Sequence, residues 1–189
     1  MRIITGTLKG RKVPALDSNE VRPTSDRTKE GMFGVIAARR DLTGITVLDL
    51  FAGSGNLGFE SISRGAARVI SVEENRKATA LIERTAQIFG VSDQIQIAPF
   101  RVEDYLNGTP QQFDLIFADP PYDLADMPGL VEQILNNNWL EEDGWLILEH
   151  DRRHDFTTHP HCVFSKPYGR TIVTIFLSFP LPEEARESE

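Results

Sequence analysis

The chain has 189 residues, 40% of them hydrophobic and 25% charged, the proportions of one globular domain with a small appendage. Such a length buries a core without staples, and the only cysteine, Cys162, excludes an intrachain disulfide and suits a reducing cytoplasm. The net charge of −8 is uneven: residues 1–40 hold nine Lys/Arg against four Asp/Glu, and the remainder eleven against twenty-four, so a polyanion is expected at the N-terminal module and not over the whole surface.

No apolar run approaches the ~18 residues of a membrane span, and Met1-Arg2-Ile3-Ile4-Thr5-Gly6 lacks the apolar core of a signal peptide. In chain order, Arg2 to Thr7 alternates weakly as a short strand, Leu8-Lys9-Gly10-Arg11 turns, and Lys12-Val13 begins a return, which together predict a small hairpin. Residues 14–23 read as loop. Thr24 or Ser25 can cap a helix over 26–39 with Met32, Phe33, Val35 and Ile36 on its apolar face, and Gly44 ends this module. From Ile45 strands alternate with helices, the pattern of a parallel sheet with crossover helices.

Strands are predicted over 45–50, 68–73, 94–98, 113–118, 144–149 and 171–178, and helices over 56–64, 75–89, 101–107 and 127–137. The runs Val47-Leu48-Asp49-Leu50 and Leu115-Ile116-Phe117-Ala118 are nearly continuous in apolar residues, as strands covered on both faces should be. Phe164 to Pro167 and Thr171 to Phe179 flank Tyr168-Gly169-Arg170 and predict an antiparallel hairpin closing the sheet. The expected organisation is a basic extension over 1–43, an α/β domain over 44–180 and a disordered acidic tail over 181–189. His150, His154, His159 and His161 are expected on an exposed loop without a metal, since only Cys162 supplies sulfur, and Trp139 and Trp145 are expected in the core.

Gly53-x-Gly55-x-x-Gly58 follows an apolar strand and opens a helix, and Glu73 ends the next strand, where a ribose-binding acid would sit. A nicotinamide site shares that pattern. Asp49 pulls away from it, because a carboxylate inside a strand is costly unless it has work to do. Asp119-Pro120-Pro121-Tyr122 follows the apolar strand 113–118, at the strand end where open α/β sheets bind ligands. Consecutive prolines remove two backbone donors and leave carbonyls as acceptors, while Asp119 adds a carboxylate and Tyr122 a flat aromatic face. Such a set suits the gripping of a planar amine. Two acceptors can hold both N–H bonds of an exocyclic amino group, let its nitrogen pyramidalise and aim the lone pair at an electrophile.

The string Asp49-x-Phe51-x-Gly53-x-Gly55 resembles motif I of the class I S-adenosylmethionine-dependent methyltransferases, and Asp119 to Tyr122 resembles motif IV of the amino-methyltransferases. Arg2-Ile3-Ile4-x-Gly6, Arg22-Pro23-Thr24, Leu48 to Gly55, Ser63-Arg64-Gly65-Ala66, the Asp-Pro-Pro-Tyr loop and Tyr168-Gly169 occur in the order that resembles the RsmD family of bacterial 16S ribosomal RNA guanine-N2 methyltransferases. That resemblance covers nearly the whole chain. It implies a Rossmann-like α/β fold with a seven-stranded, mostly parallel sheet, a C-terminal antiparallel hairpin and a small N-terminal hairpin and helix extension.

It also implies S-adenosylmethionine held by Asp49, Phe51, Ala52, Gly53, Ser54, Gly55, Glu73, Glu74 and Asp119, and methyl transfer by Asp119, Pro120, Pro121 and Tyr122. Where the family places Asp or Asn for the adenine, this chain has Arg101-Val102, so the contact is expected from backbone near Phe100-Arg101-Val102 or from Glu103 or Asp104. The implied partner is 16S ribosomal RNA in the small subunit or an assembly intermediate. Arg2, Lys9, Arg11, Lys12, Arg22, Arg27 and Lys29 are then expected on its phosphates. A cytoplasmic monomer is expected. The competing readings are a non-catalytic RNA-binding or ribosome-assembly factor with a vestigial fold and, from the glycines alone, a nicotinamide oxidoreductase.

Overall fold

The computed structural model describes residues 1–15 and 26–180. Arg22, Thr24, Ser25 and the predicted tail 181–189 lie outside the described residues, as does the side chain of Arg27. Along the described chain run α1 (Asp26–Arg39), β1 (Thr46–Leu50), α2 (Asn56–Ser63), β2 (Arg68–Val72), α3 (Arg76–Phe89), β3 (Ile95–Ala98), α4 (Val102–Leu106), β4 (Phe113–Ala118), α5 (Met127–Asn136), β5 (Leu140–His150), β6 (Cys162–Tyr168) and β7 (Thr171–Leu177). The strands form a seven-stranded sheet in the order β3-β2-β1-β4-β5-β7-β6. It is a mostly parallel α/β sheet closed by antiparallel C-terminal strands, as predicted. Two compact units compose the chain, Met1–Thr109 and Pro110–Glu189.

In the first unit β1 pairs in parallel with β2, from Thr46 opposite Arg68 to Leu50 opposite Val72, and β2 pairs in parallel with β3. Val47, Leu48, Leu50, Val69 and Val72 are fully buried, which explains the unbroken apolar runs. All eight residues of α2 are buried, and the helix packs on β1 and β2. Ala78, Ile82, Ala86 and Phe89 form the buried stripe of α3 at helical spacing. Asn75 caps that helix, its side chain accepting from Lys77 N at 2.9 Å and Ala78 N at 3.3 Å.

The predicted N-terminal hairpin is a closed loop with one antiparallel bridge, Arg2 to Lys12, in place of two regular strands. The reason lies in where its backbone groups go. Ile4 N and Thr5 N donate to the Glu60 carboxylate at 2.8 and 3.1 Å, Thr7 N to Ser63 O at 2.8 Å and Leu8 N to Ser63 Oγ at 2.9 Å. Residues 4–8 are thus bonded to α2 and not to a partner strand.

In the second unit β4 pairs in parallel with β5, and β7 lies antiparallel to both β5 and β6. The prediction started β5 at 144, but it begins at Leu140, opposite Phe113, and regular pairing resumes at Leu115 opposite Trp145. The intervening register shift leaves Glu141, Glu142 and Asp143 exposed, and that acidic run concealed the strand. His150 also departs from expectation. It is only 1% exposed, its Nδ1 hydrogen-bonded to Asp151 O at 2.9 Å and its Nε2 to Thr174 Oγ1 at 2.8 Å. Trp139 is buried in the core as expected. No helix of the described residues is long and apolar enough to cross a membrane.

Candidate active site

The turn after β1 is organised by two carboxylates. Asp49, 2% exposed, accepts from Gly58 N through Oδ2 at 3.1 Å, satisfying an amide in the first turn of α2 that has no intrahelical partner. A Cβ on Gly58 would stand 3.0 Å from Val69 Cγ1 and 3.3 Å from Asp49 Oδ2, so the third glycine lets helix and sheet pack closely. Glu73 spans the turn from the end of β2: its Oε2 accepts from Gly53 N at 2.8 Å and its Oε1 from Asn75 N at 2.8 Å. Each oxygen keeps a second acceptor position, the pair of acceptors that two vicinal hydroxyls require.

Phe51 adopts φ 60, a left-handed conformation that is costly for a bulky residue and is found where surrounding structure enforces it. The sequence carries no signal for it. Gly53 follows with φ 55, and a Cβ there would meet nothing nearer than Phe51 O at 4.0 Å, so its backbone is open to a ligand. Gly55 is seated against Ile82 and Phe59. Asn56, 5% exposed, has an Nδ2 donor without an acceptor among the described residues. The turn therefore fits the methionine and ribose parts of a cofactor: an open glycine backbone and a carboxylate with spare acceptors.

Beyond β3 the fit is looser. Arg101 and Glu103 are exposed and pair at 3.5 Å, Glu74 is exposed, and Val102 is buried as the first residue of α4. Phe100 is 54% exposed, a large apolar surface at the strand end.

In the second unit Asp119 is half-buried directly after β4, Pro120 is buried and Pro121 is exposed. Pro121 O accepts from Leu124 N at 2.9 Å, so the prolines run into a tight turn. Two contacts that the sequence did not suggest hold Tyr122. Its hydroxyl shares a 2.7 Å hydrogen bond with Thr171 Oγ1 at the start of β7, and its carbonyl accepts from Arg153 Nη2. Asp151 steadies that guanidinium, with Oδ2 2.7 Å from Nε. The Tyr122 hydroxyl and carbonyl are thus both engaged.

Of the expected RNA-contacting cations, Arg2, Lys9, Arg11 and Lys12 are exposed around the N-terminal loop. Arg11 reaches Ile88 O at 3.3 Å and lies over the Phe89 ring at 5.3 Å. Lys29, by contrast, is not on the surface. It is 0% exposed, and its Nζ donates to Arg2 O at 2.6 Å, Asn56 Oδ1 at 2.9 Å and Glu60 Oε2 at 3.3 Å. A charge desolvated in this way cannot reach a phosphate, and its role is to tie α1 and the N-terminal loop to α2. Glu60, which sequence reasoning passed over, accepts from Ile4 N, Thr5 N and Arg64 Nε as well as pairing with Lys29. An acid between the apolar Phe59 and Ile62 was the signal available.

A family model described as conserved hypothetical protein 95 matches residues 1–177. The ribosomal RNA small subunit methyltransferase D of Haemophilus influenzae is 33% identical over 155 residues, 80% of this chain and 79% of that protein. The chain belongs to the RsmD family. Another relative, the Bacillus subtilis protein YlbH, is 37% identical over 155 residues, covering 80% of this chain and 83% of its own. The RsmD-family fold extends to the solved structure of Escherichia coli yhhF, with a TM-score of 0.82 at 24% identity over 96% of this chain and 99% of that one.

Proposed function

We propose that the chain is an S-adenosylmethionine-dependent methyltransferase that methylates the exocyclic 2-amino group of one guanosine in 16S ribosomal RNA. The observation that carries this reading is the Asp119-Pro120-Pro121-Tyr122 loop at the end of β4, with Tyr122 fastened at its hydroxyl and its carbonyl. Membership of the RsmD family supports a ribosomal RNA substrate and a cytoplasmic setting, where ribosomes assemble.

In this reading S-adenosylmethionine, when bound, supplies an electrophilic sulfonium methyl. Glu73 accepts the ribose hydroxyls with the acceptor positions that Gly53 N and Asn75 N leave open, and the Gly53 backbone admits the methionine portion. Asp49 keeps the turn in shape from beneath by holding Gly58 N. The Asp119 carboxylate and the Pro120 carbonyl accept the two N–H bonds of the guanine amine, a poor nucleophile while its lone pair is delocalised into the ring. Holding both hydrogens would let the nitrogen pyramidalise and aim its lone pair along the line of displacement, and the Asp119 carboxylate would take the proton that the amine loses as the methyl passes to nitrogen and S-adenosylhomocysteine is left. Tyr122 stacks on the base. Alignment of this kind can supply several kcal/mol, up to about 7–11, of the barrier reduction. The target guanosine must be unpaired or flipped out for its amine to enter.

The test is transfer of labelled methyl to an unmodified 16S transcript and to 30S particles, with the modified nucleotide mapped by mass spectrometry. Asp119→Ala is expected to cut transfer by about 10²–10³-fold, in line with loss of a group that acts on the reacting atoms, while calorimetry shows S-adenosylmethionine binding largely retained. Wild-type turnover by this variant would refute the role of Asp119. Failure of the unaltered chain to bind S-adenosylmethionine would refute the cofactor assignment.

A further inference from the structure

Residues 110–180 hold eleven Asp/Glu and four Lys/Arg, namely Arg152, Arg153, Lys166 and Arg170. The four cations are not scattered among the acids. All lie on two segments, the loop after β5 and the tip of the β6–β7 hairpin, and both segments bond Tyr122. The loop reaches the Tyr122 carbonyl through Arg153, and the hairpin reaches its hydroxyl through Thr171. Tyr168 stands opposite Thr171 across the hairpin, and the Lys166 ammonium lies over its ring at 5.9 Å. Lys166, Arg170 and Arg152 are exposed, and Tyr168 is half-exposed.

Part of this charge is already engaged. Asp151 holds the Arg153 guanidinium, and the remaining nearby acid of the loop, Asp155, accepts from Thr157 N at 2.9 Å and Thr157 Oγ1 at 2.7 Å. Arg153 therefore braces the Tyr122 loop. Arg152, Lys166 and Arg170 are exposed, and the Tyr168 ring lies beside Lys166, a combination of cations and a π-face of the kind that binds unpaired nucleic acid strands.

We infer that the tip of the β6–β7 hairpin, with Arg152, is a second RNA-contact surface, gripping the single strand that carries the target base. It rests on the proposed function and adds to it, because the N-terminal cations were the only RNA contacts that the charge distribution suggested. In an acidic unit, three cations at the base-stacking loop attract the backbone where the flipped nucleotide must be held and leave the rest of the unit repulsive. The tie between Thr171 and Tyr122 makes the hairpin that contacts the strand also the element that orients the stacking ring.

The experiment compares the full chain with its Lys166→Ala/Arg170→Ala variant on an unmodified 16S transcript and on 30S particles, over a series of KCl concentrations. Expected for the variant are a KM for RNA raised roughly tenfold and a salt dependence shallower by about 1.5 in log–log slope, near 0.7–0.9 for each phosphate that is no longer neutralised. S-adenosylmethionine affinity, measured separately by calorimetry, stays as in the parent chain and shows that the variant is folded. Lys166→Arg/Arg170→Lys restores the KM. A variant with the parent KM and salt slope overturns the inference while leaving the proposed function standing. A parent chain that transfers no methyl to either RNA overturns the function, and the inference falls with it.

Discussion

Lys29 and Glu60 are both fully buried, and the pair is held by other groups besides each other: Arg2 O and Asn56 Oδ1 on the lysine side, and Arg64 with two loop amides on the glutamate side. Removing one partner of such a pair leaves an uncompensated buried charge, a cost of about 3–5 kcal/mol. Lys29→Met is therefore expected to lower the urea-denaturation stability by that order. A double-mutant cycle with Glu60→Gln should give a coupling energy of about 1 kcal/mol or more. Coupling near zero would mean that Lys29 contributes only its packing.

His150 supplies a second test at this scale. Burial holds its imidazole below the ordinary histidine range, opposed in part by the Asp151 carbonyl. The unfolded chain therefore takes up a proton that the folded chain resists, so stability is intact above about pH 6.5 and falls as the pH drops from there toward the folded value. The slope approaches at most about 1.4 kcal/mol per pH unit. Asp151 and Asp155 shift in the same direction, with folded values depressed, but lose their contribution only at lower pH, below the carboxylate range. Stability curves between pH 7 and 5 for the parent and for His150→Gln should diverge in slope, the variant being flatter. Parallel curves would remove His150 as the source.

At the scale of elements, the N-terminal loop and α2 behave as one piece. Gly6 lies against the end of α2 with φ 87, and a Cβ there would fall 1.7 Å from Ser63 O. No rotamer relieves a backbone clash of that kind, so Gly6→Ala must lift the loop from the helix and uncover the Lys29–Glu60 pair. A loss above about 2 kcal/mol is expected, with faster proteolytic cleavage in residues 1–15. Stability within about 0.5 kcal/mol of the parent would show that the loop is not coupled to α2 in this way. The same helix begins at the glycine turn, where Asn56 meets Lys29 at 2.9 Å. The loop that carries the exposed cations is thereby joined through side chains to the turn proposed to hold the cofactor.

Across the whole molecule, what could be read directly were the features written in neighbouring residues. Alternation of apolar strands with helices predicts the parallel sheet, Gly53 to Gly58 after β1 predicts a tight turn into a helix, and Pro120-Pro121 after β4 predicts a turn. Each depends on backbone preference or side-chain periodicity within a few positions, so local sequence suffices. Other features depended on partners far away in the chain. Ile4 meets Glu60 across 56 positions, Tyr122 meets Thr171 across 49, and His150 meets Thr174 across 24. Lys29 looked like one more surface cation among basic neighbours, and only the packing of α1 and the N-terminal loop on α2 turned it inward. The chain's own order determined strands, turns and the chemistry offered at their ends. Tertiary structure decided which charges are desolvated and which side chains orient the site, because burial and pairing are properties of what a residue packs against, and those neighbours are brought together only by the fold.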